Sequence, residues 1–235
     1  MLDVDALLDA AARVAAVLTG DQAIRDVVRE LAEQVAVVLG VSGAGVVLVR
    51  QGRLSDVLAS VEVIADLERV GAAREMGPCA DAMRRREPVV VGDLIGRDGA
   101  ERWPEYVAQA EVDEIRAVAA LPMLARERVI GVLGLYDGVR RTWSDQELRV
   151  ARITADVAGC YLMLASELRQ ERDANEHLRT ALTSRVIIEQ AKGVMAEARA
   201  ITVDEAFDAL RAHSRNHHAS IHDVAAAVVN FHLRP

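Results

Sequence analysis

Lysine is almost missing from this chain: 27 of its 28 basic residues are arginine, and the one lysine is Lys192. Acids number 36 and the formal net charge is -8, so bulk attraction to nucleic acid or to an anionic membrane is excluded as the main mode of binding. Aromatic residues make up only 3%, which leaves little material for base-stacking platforms. The two cysteines, Cys79 and Cys160, have no CxxC or zinc spacing. A disulfide framework and a structural metal cluster are therefore not expected, and a reducing cytoplasm fits best. The longest uncharged stretch, 34–49, contains Gly40, Gly43 and Gly45 and is too short to span a membrane. Acids near the N-terminus stand where a signal peptide needs positive charge. The motifs GxGxxG, GxxxxGK, GxSxG and HExxH are all absent, so neither an enzyme, a catalytic residue, a metal nor a cofactor is expected.

What is present is a 235-residue chain, 51% apolar and 27% charged, enough for one large domain or two smaller ones. Charge is unevenly shared. Residues 1–165 carry 19 basic against 26 acidic side chains, and residues 166–235 carry 9 against 10.

Helical spacing of apolar residues predicts two opening helices, over 2–18 and 21–39. From Gly43 the pattern changes to five short apolar runs, AGVVLV, DVLAS, PVVV, RAVAALPML and RVIGVLGLY, with Gln51-Gly52 and the stretch from Ala125 to Arg128 as hairpin turns. Helices or long connections are expected over 66–86 and 103–110. A helix then starts at Ser144, which forms a capping box with Glu147. Along it, Val157, Tyr161, Leu164, Leu168, Leu178 and Leu182 follow a heptad pattern interrupted at Glu171 and Asn175. That is the pattern of a parallel coiled-coil connector. Three short helices follow: one with Ile187, Ala191, Val194 and Ala198 on its apolar face, one capped by Thr202 and Glu205, and one started by Ser220 and Asp223.

Candidate chemistry concentrates at the first of these short helices. Arg185, Lys192 and Arg199 are spaced by seven and are expected to form a ridge about 160–200° from the apolar stripe. Gly193 sits mid-helix, where glycine costs about 1 kcal/mol relative to alanine and lets another molecule come close. Arg211 and Arg215, four apart, add a second basic edge. Elsewhere, His213, His217, His218 and His222 read as surface histidines, Arg84-Arg85-Arg86 as a solvated helix end, and Cys79 as a packed thiol after a Gly-Pro turn.

The segment 182–195, with its SRxxIxQAKG core, together with Asp204-Glu205-Ala206-Phe207, Leu210-Arg211, Ser214 and Asp223-Val224-Ala225, closely resembles the ANTAR domain, a three-helix RNA-binding module of transcription antiterminators. The N-terminal part resembles a GAF domain through Gly77-Pro78-Cys79, Val91-Gly92-Asp93-Leu94, Arg102-Trp103-Pro104, Leu121-Pro122-Met123, the run from Ile130 to Tyr136, and Trp143-Ser144-Asp145. The resemblance implies an α+β GAF-like sensory domain over 1–165, with an antiparallel sheet of about five or six strands and flanking helices. A long connecting helix over 145–182 and an all-α three-helix ANTAR domain over 178–235 complete the expected architecture.

It also implies a cytoplasmic homodimer that responds to a signal and binds tandem hairpin loops of leader transcripts, competing with terminator formation. RNA contacts are expected at Arg185, Gln190, Lys192, Gly193, Arg211 and Ser214, with Arg199 and Arg215 added from helix geometry. Candidate ligand-pocket residues of the GAF part are Cys79, Asp93 and Trp103; the ligand, a small-molecule effector, is open. The chain departs from the ANTAR pattern at His218-Ala219-Ser220, where a basic stretch is common, and at Ala198. These departures keep an alternative open: a GAF dimer scaffold whose ANTAR unit docks a protein partner.

Overall fold

The computed structural model describes residues 12–13 and 24–231. The expected helix over 2–18 lies outside the described residues except for Ala12 and Arg13, which are helical. The chain divides into two units, 1–166 and 167–235.

In the first unit, α1 (Ile24–Leu39) leads into a hairpin of β1 (Gly43–Arg50) and β2 (Arg53–Ala59). Gln51 and Gly52 both take positive φ, as a two-residue hairpin turn requires. Helices α2 (Glu62–Arg74) and α3 (Pro78–Arg85), strand β3 (Val89–Val91), and helices α4 (Arg97–Arg102) and α5 (Pro104–Val112) follow, and then the hairpin of β4 (Ala117–Ala125) and β5 (Arg128–Asp137). The five strands form one antiparallel sheet in the order β2-β1-β5-β4-β3.

Alternation along the strands sends successive side chains to opposite faces. Ala117, Ala119, Leu121, Leu133 and Leu135 pack with α1 and with Ala151, Ala155 and Ala158 of the helix that follows the sheet. Val118, Ala120, Val132 and Tyr136 pack with Ile64, Leu67, Cys79, Trp103 and Tyr106 from the helices on the other side. The sheet is thus the middle of three layers, which suits strands as apolar as β4 and β5.

Helix α6 runs without interruption over Asp145–Arg199, followed by α7 (Val203–Asn216) and α8 (Ile221–Phe231). The expected connector and the first short helix of the C-terminal unit are therefore one helix. No proline or paired glycine lies between Ser144 and Arg199 to stop it. Its capping box forms as read: the Glu147 amide donates to Ser144 Oγ at 3.3 Å, and Glu147 Oε2 accepts from the Ser144 amide at 2.7 Å. Along the heptad stripe, Leu164, Leu168, Leu178 and Leu182 are exposed, whereas Tyr161 packs against the core of the first unit. Among the described residues, no helix is long and apolar enough to cross a membrane.

Candidate functional site

The C-terminal unit has a small core of Ala191 and Met195 from α6, Ala206 and Leu210 from α7, and Val224, Ala225 and Val228 from α8. Capping sets the starts of the last two helices. At α7, the Glu205 amide donates to Thr202 Oγ1 at 3.2 Å and Glu205 Oε2 accepts from the Thr202 amide at 2.8 Å. The Thr202 amide first, and then the Thr202 hydroxyl, which also donates to Glu205 Oε2 at 2.8 Å, hold the Glu205 carboxyl below its ordinary pKa. At α8, the Asp223 amide donates to Ser220 Oγ at 3.1 Å.

This core corrects the phase read from the sequence. Met195 is buried, while Val194 is 48% exposed and Ala198 lies in solvent. Ile187 and Ala191 pack in this core as expected, but the stripe continues through Ile188 and Met195 instead of Val194 and Ala198, and Lys192 stands about 40° and 60° around the helix from Ile188 and Met195. Lys192 borders the core, not the opposite face. Its side chain is only 14% exposed. Both oxygens of Glu189 accept from its ammonium at 2.9 Å, and the Phe207 ring centroid lies 5.3 Å away.

The other expected RNA contacts are spread around this point. Arg185, Gln190, Gly193, Arg199, Arg211 and Arg215 are exposed. The Arg211 guanidinium lies 5.6 Å from the Phe207 centroid. Ser214 is half-buried, and its hydroxyl donates to the Ala219 carbonyl at 2.7 Å, which closes the turn between α7 and α8. A stacked pair of rings, His213 and His217, lies on the same helix end with centroids 4.0 Å apart. At Gly193, a Cβ would meet nothing within 4 Å. Packing inside the unit therefore gives no reason for glycine at a position where alanine would favour the helix by about 1 kcal/mol.

In the first unit, the three candidate pocket residues do not gather in one opening. Cys79 and Trp103 are buried in the same core, on the α2–α3–α5 side of the sheet. Asp93 stays near the surface, paired with Arg116 at 3.0 Å and Arg140 at 2.8 Å. A surface groove of about 580 Å³, lined by Arg69, Arg74, Glu105 and Gln109 among others, includes none of the three. What sequence reasoning missed is a buried polar cluster around Cys79.

Its thiol lies 3.5 Å from the Tyr136 hydroxyl, and the Tyr106 hydroxyl donates to Glu68 Oε1 at 2.6 Å. Glu68 is 1% exposed and its Oε2 has no partner among the described residues. Burial drives the Glu68 pKa up, against the pull of its hydrogen bond from Tyr106 and of the nearby Tyr136 hydroxyl and Cys79 thiol. Burial also pushes the Cys79 thiol well above its usual range, with the nearby Glu68 charge adding to it. Cys79 is thus a protonated, packed thiol. Two glycines make room for the rings: Gly77, at φ +105°, would bring a Cβ to 2.7 Å from the Tyr106 ring, and a Cβ on Gly134 would run into the Tyr136 hydroxyl. A signal was available in the sequence, because Glu68 falls between Ile64 and Gly71 on the apolar face of α2.

One residue beyond Tyr136, Asp137 begins a second polar node. Arg141 donates to Asp137 Oδ2 at 2.7 Å, to Glu147 Oε1 at 2.6 Å and to the Leu39 carbonyl at 2.7 Å. One guanidinium thereby ties the end of β5, the end of α1 and the first turn of α6 together. Three arginines, Arg84, Arg85 and Arg102, likewise converge on the largely buried Asp81.

Comparison with known proteins gives two family matches. The GAF domain model matches residues 21–162 and the ANTAR domain model matches residues 176–229. Among solved structures, the chain is similar to the GAF domain of a phosphoenolpyruvate-protein phosphotransferase from Coxiella burnetii, at 10% identity and TM-score 0.53, over 69% of this chain and 96% of that one. It is also similar to the GAF domain of the Acinetobacter phosphoenolpyruvate-protein phosphotransferase, at 14% identity and TM-score 0.51, over 72% and 99%. A domain of a putative two-component sensor histidine kinase from Sinorhizobium meliloti matches at 18% identity and TM-score 0.52, over 65% and 99%. These likenesses establish the fold of the first unit. The chain finds no match among curated proteins.

Proposed function

From a chain that belongs to the GAF family and carries an ANTAR domain after it, we propose a signal-responsive regulator that binds tandem hairpin loops in leader transcripts and acts by antitermination. ANTAR domains are RNA-binding antiterminator modules and GAF domains sense signals, so the two modules are regulatory and not catalytic. The observation that carries the reading is Gly193: an exposed mid-helix glycine with open space above it, flanked by Lys192 and within a turn or two of Arg185 and Arg199. A glycine that costs helix stability and serves no internal packing fits a surface that another molecule must approach closely.

The protein acts in the cytoplasm as a homodimer, held through the apolar residues that a single chain leaves in water on α6: Val157, Leu164, Leu168, Leu178 and Leu182. A small-molecule effector acts on the face of the GAF sheet that buries Cys79 and Trp103, with Asp93 at its edge. Native mass spectrometry of the purified protein reads the effector directly. Sedimentation showing a monomer at every concentration would remove the dimer.

The RNA reading is tested by fluorescence anisotropy with a labelled tandem-hairpin RNA. Gly193→Ala is expected to weaken binding about tenfold, a loss of about 1.4 kcal/mol. Because 178–215 carries six basic residues against five acids, the logarithm of affinity should fall by no more than about three to five per log unit of salt. No binding at low salt, or Arg185→Ala and Lys192→Ala binding as well as wild type, would overturn the reading in favour of a protein-docking scaffold.

A further inference from the structure

Lys192 is the only lysine in the chain, and it does not present a free charge. An i,i+3 pair on a helix surface ordinarily stands in water, where it contributes little. Here the lysine side chain is 14% exposed against 55% for Glu189, its ammonium contacts both Glu189 oxygens at 2.9 Å, and it lies 5.3 Å from the centroid of the half-buried Phe207 ring. Arg211, one turn beyond Phe207 on α7, brings a second cation to the same ring. One cation from each of two helices thus gathers at Phe207, whose electron-rich face attracts both and offsets their mutual repulsion. Only one of the two is neutralised by Glu189.

We propose that Glu189 is an internal stand-in for phosphate: its carboxylate occupies Lys192 in the free protein, and RNA binds by exchanging a backbone phosphate for it. Phe207 is the positioning residue that keeps Lys192 and Arg211 together through the exchange. The proposal rests on the RNA-binding reading of the C-terminal unit. Carboxylate and phosphate both offer paired anionic oxygens to an ammonium, so a lone phosphate on a featureless polyanion gains little by replacing Glu189. An RNA that also engages Arg211 and Arg185 gains those contacts in addition. Glu189 therefore acts as a specificity-determining residue, in a chain whose bulk charge already disfavours nucleic acid. Once displaced, its carboxylate faces the RNA and retains a cation there, so fewer counterions are released.

The test uses the full chain and two labelled probes, a short oligouridine and a tandem-hairpin RNA, titrated over a range of salt. Glu189→Gln is expected to raise oligouridine affinity about tenfold and hairpin affinity by less, and to steepen the salt slope by about 0.7 to 0.9. Phe207→Leu keeps the apolar volume but not the ring, and should weaken hairpin binding several-fold at unchanged helicity; Phe207→Tyr should restore it. If Lys192→Ala weakens hairpin binding while Glu189→Gln leaves both affinities and the slope at wild-type values, the stand-in proposal is overturned and the RNA reading survives. If wild type binds neither probe at low salt, the RNA reading fails and this proposal with it. Should Phe207→Leu lose helicity, the Glu189→Gln slope decides alone.

Discussion

In the N-terminal unit, ionisable groups are folded inward: Glu68 among two tyrosines and a thiol, Asp81 against three arginines, Arg141 between Asp137 and Glu147. In the C-terminal unit, the seven buried core side chains among the described residues are all apolar, and the described arginines are left at the surface. Size explains the contrast. A domain of about 140 residues buries enough apolar area to offset a few desolvated charges, whereas a unit of about sixty buries only about 60% of its unfolded surface.

Both tryptophans, Trp103 and Trp143, lie in the first unit and none in the second, so fluorescence and circular dichroism can break the comparison apart. The largest effect is expected for Arg141→Met, which strands the buried carboxylate of Asp137 and the half-buried one of Glu147. It should cost about 3–5 kcal/mol in the unfolding transition followed by tryptophan fluorescence. Leu210→Ala empties the centre of the small core and should cost about 2–5 kcal/mol. Its loss should be read in helical circular dichroism with the tryptophan signal unchanged. An equal shift in both signals for either variant would show that the units do not unfold separately.

A smaller effect is expected at Glu68. The folded state holds this proton to higher pH than the unfolded chain, whose ordinary value is 4.5. Between those two values the native state binds more protons, so stability falls as pH rises through the folded pKa. Glu68→Gln removes that loss and still accepts from Tyr106. It should raise the tryptophan-monitored Tm at neutral pH and have little effect near pH 4, and the reverse pattern would place a stable charge in the core. The smallest effect is at Gly193, where alanine should stabilise the helix by up to about 1 kcal/mol. Combined with the weaker RNA binding expected above, that result would separate function from stability at one position.

Local features were readable where a short-range rule decides them. The capping boxes at Ser144 and Thr202, the Ser220 cap, the Gln51-Gly52 hairpin and the five apolar strand segments each depend on neighbours a few residues apart, and each is found. The phase of the helix around Lys192 was not readable in the same way. Ile187, Ile188, Ala191, Val194, Met195 and Ala198 offer two overlapping apolar stripes, and only packing against α7 and α8 selects the one through Met195. The end of the connector was not readable either, because α6 contains no stop signal before Arg199 for a boundary to rest on.

The sequence by itself determined which residues could act: a single lysine beside a mid-helix glycine, a chain too acidic for bulk attraction, and motifs that place a GAF domain before an ANTAR domain. Composition and spacing carry that information because residue type and helical period are properties of the chain alone. Tertiary structure decided which partners those residues meet. Only packing brings Glu68 to Tyr106 across 38 positions and sets Lys192 and Arg211 at one ring. Desolvation and contact depend on surfaces that come together after the elements form, and no linear pattern records them.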